Sequence, residues 1–367
     1  MNLQSKILQE RMLKIIAVFI LSIAGIELFN VNTYAGQSIL KKEWLEGSWS
    51  HYTIDNGLSS NTVLSLAVEG KYIWFGTYGG GASCYDKDSG QWKAYTTKWE
   101  PALSKKTKPG LYWENTLEDN HVTAIAVDVN SDVWFGTTFY GYNDLYGVSR
   151  FTRNPSPKWT VYGLYKGLSG DDVTSIAVDA DFVWIGTQKG LARYAKKTET
   201  WSFLNSPQQL PDKYINSVTI DSQDVWLGTA SGIAVLNKKT GTWRFYARKD
   251  GLPEDSIQAV AVEGKNIWAG GTYGSLAVFN KEEKIWKIIK TDDGLDEKWI
   301  KSIVNDGRHV WIARDGGVSC YNIATGKWLA LTSEDGLIGH QVNAIAFDGS
   351  TVWFGTEAGV SKLTLNN

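Results

Sequence analysis

Histidine and cysteine are scarce, four and two among 367 residues. The histidines, His51, His121, His309 and His340, are scattered, and no set of His, Cys and carboxylates has zinc spacing. No metal site, cofactor or catalytic residue is therefore expected. A Gly-rich phosphate loop and a serine elbow are missing as well. Neither sign of charge dominates: 37 Lys and Arg face 39 Asp and Glu, a net charge of -2. That balance argues against nucleic acid as a partner. Beyond residue 26 no apolar run is long enough to cross a bilayer, which needs roughly 20 residues. Even so, 43% of the chain is hydrophobic and 21% charged, a globular composition and not a disordered one.

The beginning of the chain reads as an export signal. Lys6, Arg11 and Lys14 precede the apolar run Ile15–Ile26, and Thr33 and Ala35 occupy the small-residue positions before a cut at Gly36. An uncleaved anchor is the alternative. The expected division is a signal peptide at 1–35, a lead-in at 36–47 and a folded domain at 48–367. The expected location is periplasmic or extracellular, without a stable membrane span.

What the chain has in excess is Trp, 18 residues, and Gly, 37. Trp recurs in one phrase, "DVWFGT" or a close variant, at Trp74, Trp134, Trp184, Trp226, Trp268, Trp311 and Trp353. The last four gaps are 42, 42, 43 and 42 residues, the length of a four-stranded propeller blade. A second Trp follows in six units, at Trp92, Trp159, Trp201, Trp243, Trp286 and Trp328, and the seventh is Trp49. Trp49 lies 25 residues before Trp74, the same distance as Trp201 to Trp226. The N-terminal strand is thus predicted to complete the last blade and close the ring without a free edge. The predicted fold is an all-β, seven-bladed propeller. Within each blade strand a is the "VTAIAVD" type, b the "VWFGT" type, c the "GVSRF" type and d the "TWRFY" type. The inner Trp is read as a wedge between blades, and the Gly after it as room for close approach. Gly in the "DGL" and "NGL" phrases marks turns that need positive φ.

The phrase "VTAIAVDVNSDVWFGT…GVSRF" resembles the two-component regulator propeller repeat, over nearly all of Trp49–Leu365. The resemblance implies an exported propeller of the kind that forms the sensing half of membrane histidine kinases, some of which detect oligosaccharides. Here the sequence stops after Leu365, so a sensor would hand its signal to another molecule.

Function on repeat scaffolds concentrates where the repeat is interrupted. One insertion, 97–120, lengthens the d–a loop into the second blade; another, 138–147, lengthens its b–c loop. Both connections emerge on one face. They carry Trp99, Tyr112 and Trp113, and Phe139, Tyr140, Tyr142 and Tyr146. Trp299, outside both Trp columns, enters a strand a on that face. Such aromatics stack on sugar rings, anchor a protein partner, or fold onto one another as a satellite core. A second candidate is the polar position that recurs inside strand a. It reads Leu64, Thr123, Thr174, Asn216, Gln258, Lys301 and Asn343, of which Asn216, Gln258, Lys301 and Asn343 are the ligand candidates. The alternative role for this ring is to satisfy backbone groups beside a wet channel.

The function expected is a monomeric, non-catalytic module that recognises an oligosaccharide or peptide on the d–a and b–c loop face. A protein-interaction scaffold in the cell envelope is the alternative. The third reading is a metal-dependent enzyme similar to the streptogramin lyases, with His121 or His340 beside Asp171 or Asp255, although no matching motif is visible. "DVNSD" (Asp128–Asp132) reads as a hairpin turn and not a calcium loop. Cys84 and Cys320 hold one register in blades that do not touch, so two buried thiols are expected.

Overall fold

Six antiparallel sheets of four strands and one of five follow each other in the computed structural model. It describes residues 39–42, 44–96, 117, 119–138, 147–163, 172–204, 210–290 and 298–366. The chain is a seven-bladed all-β propeller. In blade 1 the order is Val63–Glu69, Tyr72–Thr77, Gly81–Asp86 and Gln91–Tyr95, from the inside outwards. The a strands of successive blades lie side by side around the axis. Blade 7 takes three strands from the C-terminal end, and its fourth is Leu45–Tyr52. That strand pairs antiparallel with Gly359–Leu365 and sets Trp49 opposite Leu363. The ring closes as the Trp spacing predicts.

A fifth strand, Ile39–Lys42, was not legible in the repeat. It pairs with Leu45–Tyr52, Lys42 opposite Leu45. Its Leu40 joins the apolar cluster in which Trp49 is wholly buried; in the four-stranded blades Trp159 and Trp286 are buried and Trp92, Trp201, Trp243 and Trp328 half-buried. The hairpin also reaches blade 6. Lys42 donates to the Ala330 carbonyl and pairs with Asp335 at 2.7 Å, and Trp44 stacks on His309.

The core is divided into seven apolar clusters, each at a junction between blades. Trp74 of blade 1 lies among Val122, Ile125, Phe135 and Phe151 of blade 2. At the closure, Trp353 of blade 7 lies among Val63, Ile73 and Phe75 of blade 1. Each inner Trp belongs to the next blade's core, so this residue cements the ring. The Gly two positions on makes room. A Cβ on Gly136 would lie 2.3 Å from Val173 Cγ1 of blade 3, and one on Gly270 2.5 Å from Ile300 Cγ2 of blade 6. The turn glycines act at the same junctions. Gly57, Gly251 and Gly336 have φ of 114°, 106° and 115° and cap short 3-10 turns. A Cβ on Gly336 would meet the Trp49 ring at 2.6 Å, so both backbone and space require Gly.

A ring of charge also ties the blades together. In blades 1, 3, 4, 5 and 6 an acid in the a–b hairpin accepts the inner Trp indole N–H five residues on, as from Trp74 to Glu69 at 2.7 Å and Trp226 to Asp221 at 3.2 Å, whereas the Trp134 and Trp353 indoles do not bond this way. Five of the a–b hairpins receive a cation that follows strand c of the next blade: Arg153 on Glu69, Lys196 on Asp128, Lys238 on Asp179, Lys281 on Asp221 and Lys87 on Asp348. In blades 6 and 7 the cation position holds Ile323 and Leu365.

Cys84 and Cys320 are both buried and neither forms a disulfide. Burial pushes the Cys84 thiol up to about 12. Among the described residues no helix is long and apolar enough to cross a membrane.

Candidate functional site

In an antiparallel a-b-c-d sheet the b–c and d–a connections leave at the same end. All seven blades join them by one backbone bond, from the first residue after strand b to the residue before strand a. Examples are Tyr78 N–H to the Thr62 carbonyl, Ala230 to Tyr214, Thr272 to Ser256 and Asp315 to Trp299. These pairs form the rim of one face.

Inside the rim, every strand a carries a β-bulge at its second position. The bulge residues are the polar ring read from the sequence, and the extra residue frees each side chain from the pleat. Four of them donate to the first carbonyl of the next blade's strand a. Thr123 reaches Val173 at 2.5 Å, Thr174 reaches Ile215 at 2.5 Å, Asn216 reaches Ile257 at 2.9 Å and Asn343 reaches Val63 at 2.8 Å. Blade 1, with Leu64 at the bulge, uses Ser65 to reach Val122 instead. The ring therefore stitches blades together, which is the backbone-satisfying role.

Blades 5 and 6 depart from this scheme. Gln258 donates to Ser256 and Thr272 of its own blade. Lys301 pairs with Asp315 at 2.8 Å and donates to Asn343 Oδ1 at 2.9 Å. The end of strand b changes in the same two blades. Elsewhere a Thr hydroxyl caps the b–c turn, as Thr187 does on Gly190 and Thr356 on Gly359. Blade 5 has Gly271, and the Glu254 carboxylate occupies the vacated space, 1.8 Å from where a Cβ would be. Glu254 is buried and accepts from Tyr273 N–H and the Ser275 hydroxyl. Blade 6 has Arg314, wholly buried.

That carboxylate holds the loop that presents Tyr273, 77% exposed, and the rim bond to Asp315 holds Trp299, 46% exposed. Tyr214 in blade 4 and Tyr78 in blade 1 are 39% and 41% exposed at rim positions. Among the described residues the remaining exposed aromatic is Phe245, on an outer strand. Four of five lie on one face. Sequence reading found Trp299 but missed Tyr78 and Tyr214, which stand at fixed rim registers and so were countable, and Tyr273, one residue beyond the rim position Thr272. The insertion residues Trp99, Tyr112, Trp113, Phe139, Tyr140, Tyr142 and Tyr146 lie outside the described residues.

The histidines are held apart. His121 pairs with Asp119 at 3.0 Å and meets the Tyr78 ring edge-on. His340 contacts Ser333 in blade 7, and the Asp255 carbonyl accepts from Gly232 between blades 4 and 5; Asp171 lies outside the described residues. Among the described residues no three His, Cys, Asp or Glu side chains gather as metal ligands. Asp128 accepts from the Asn130 and Asp132 N–H groups, an ordinary hairpin turn.

No protein-family model and no curated protein matches the chain. Solved structures do. The extracellular domain of the hybrid two-component system BT3049 of B. thetaiotaomicron is 19% identical with a TM-score of 0.69, over 86% of this chain and 41% of that one. PorZ, a surface component of the type-IX secretion system of Porphyromonas gingivalis, is 17% identical with a TM-score of 0.65, over 89% and 50%. The WD40 repeats of RRP9 are 11% identical with a TM-score of 0.61, over 91% and 98%. The chain thus spans about two fifths of BT3049's solved domain and half of PorZ's. At these identities the likeness establishes the fold, and it is the fold that the repeat phrases imply.

Proposed function

We propose that this chain is an exported, non-catalytic sensing or interaction propeller that binds its ligand on the d–a and b–c loop face. The observation that carries the reading is the gathering of exposed Tyr78, Tyr214, Tyr273 and Trp299 on that face. Blades 5 and 6 break the repeat at the same place, and fold alone would not require either feature. The extracellular sensor domain and the surface component among the structural neighbours support export and a binding role. The ligand proposed is an oligosaccharide stacked on Trp299 and Tyr273, with Gln258 and Lys301, the polar ring residues whose bonds go to side chains and not to the next blade's backbone, as its polar contacts. Asn216 and Asn343 belong to the same ring, and the aromatic insertions of blade 2 would extend the surface. A peptide or an envelope protein is the second reading, favoured by the mutual pairing of Lys301 with Asp315.

The test is a tryptophan-fluorescence titration against plant, microbial and host oligosaccharides. Wild type is compared with Tyr273→Ala/Trp299→Ala and with Trp99→Ala/Trp113→Ala. Saturable quenching is expected, weakened at least about tenfold in the first variant, a typical hot-spot loss. Melting should not change, because both side chains are exposed. Binding that survives both variants would place the ligand elsewhere. If no sugar binds, retention of an envelope protein by wild type and not by the variant would select the second reading.

A further inference from the structure

The outer half of blades 2 and 3 concentrates one sign of charge. Residues 147–163 and 190–200 carry Arg150, Arg153, Lys158, Arg193, Lys196 and Lys197 against a single acid, Glu199, in a chain where acids outnumber bases. Arg153 and Lys196 belong to the ion-pair ring, and Arg193 bonds Ser202. Arg150 shares its register in strand c with Arg193 of blade 3 and Lys362 of blade 7, whereas Cys84, Val235, Val278 and Cys320 hold it in blades 1, 4, 5 and 6, so four blades do without a cation there.

Beside Arg150 opens a cleft of about 560 Å³, within the size range of small-ligand sites. Its walls include Arg150, Lys158, Thr160, Tyr162, Tyr194 and Glu199. The hairpin over it, residues 153–157, holds two of the chain's seven prolines, Pro155 and Pro157, which stiffen the lip. Asp132 engages Arg150 through Nε and Nη2, and the Tyr162 hydroxyl, itself on the cleft wall, is a further hydrogen-bond partner of the five-donor guanidinium. The Tyr162 and Tyr194 hydroxyls lie 3.4 Å apart. Burial first, and then Tyr162, push the Tyr194 phenol upward, so it stays a neutral O–H donor. The lining is thus rich in donors, with one carboxylate at the exposed edge.

We propose that this cleft is a second binding site, for a small oxyanion that carries hydroxyl groups. The anionic group sits against Arg150 and Lys158, and hydroxyls meet Thr160 and the Glu199 carboxylate. The site lies on the outer flank, so it stands or falls independently of the loop face.

Isothermal titration with glucuronate, sulfate, phosphate and neutral glucose, at low ionic strength, tests it. Wild type is compared with Lys158→Glu and Thr160→Val, both on the cleft surface. Glucuronate is expected to bind more tightly than sulfate or phosphate, and glucose not at all. Lys158→Glu should weaken glucuronate by about tenfold without changing the melting temperature. Arg150→Met should abolish binding, with circular dichroism to confirm that the blade survives loss of the Asp132 pair. Absence of heat with all three oxyanions would overturn the proposal, and so would equal affinity in Lys158→Glu.

Discussion

Removal of residues 37–52 is expected to abolish the cooperative unfolding transition, and the same segment supplied as a peptide to restore it. Leu45–Tyr52 is the outer strand of blade 7, and six of its residues face Gly359–Leu365 in register. Trp49 alone is wholly buried between Phe354, Leu337 and Leu363, and truncating a buried Trp costs about 3–5 kcal/mol. A domain has only about 5–15 kcal/mol in total, and Leu40, Leu45 and the strand pairing are lost in the same step. Closure also removes an open sheet edge, so the shortened chain should associate. Denaturant unfolding followed by circular dichroism, with and without the peptide, measures both parts. A shortened chain that unfolds as steeply and at the same midpoint as the intact one would contradict ring closure.

Gly136→Val is expected to destabilise the protein by about 3 kcal/mol or more, at the upper end for overpacking a core. The first added atom would lie 2.3 Å from Val173 Cγ1 and 2.9 Å from Val173 Cβ, and the valine methyl groups would go further in. Neither side can yield, because Val173 is itself wholly buried in the first position of the neighbouring strand. The strand containing Gly136 is not the obstacle. In blade 6 the same register holds Ala313, also wholly buried, so a Cβ is accepted where the junction leaves room. Exchanging Ala313 for Gly should therefore cost less than about 1 kcal/mol, the ordinary strand penalty for Gly. Thermal melts of the two variants decide the point, and equal effects would mean that the glycines serve the strand and not the junction.

The parts of this fold that were legible are those written once per blade. Trp at two registers, Gly after the inner Trp and the displaced seventh outer Trp gave blade number and closure. Ile39–Lys42 was missed because it has no counterpart in other blades and covers Trp49 from outside the repeat. The polar bulge ring was visible as residue types, but its role depends on carbonyls of the neighbouring blade, which no single strand's pattern contains. The a–b acids and the cations after strand c were countable at fixed offsets, although only the packed ring shows that they pair across junctions. At the candidate face, Gly271 in place of Thr was the readable sign. That Glu254 fills the gap and orders Tyr273 required the structure.

The central claim is that one face of the ring is the binding face. Hydroxyl-radical footprinting, with and without a ligand from the titration or an envelope extract, tests it most directly. It compares Tyr78, Tyr214, Tyr273 and Trp299 with the outer-strand residues Phe245, Ile285 and Ile288, all of them exposed. Protection confined to Tyr214, Tyr273 and Trp299, with or without Tyr78, is the predicted result. Protection of Phe245, Ile285 and Ile288, with the rim aromatics unchanged, would contradict it.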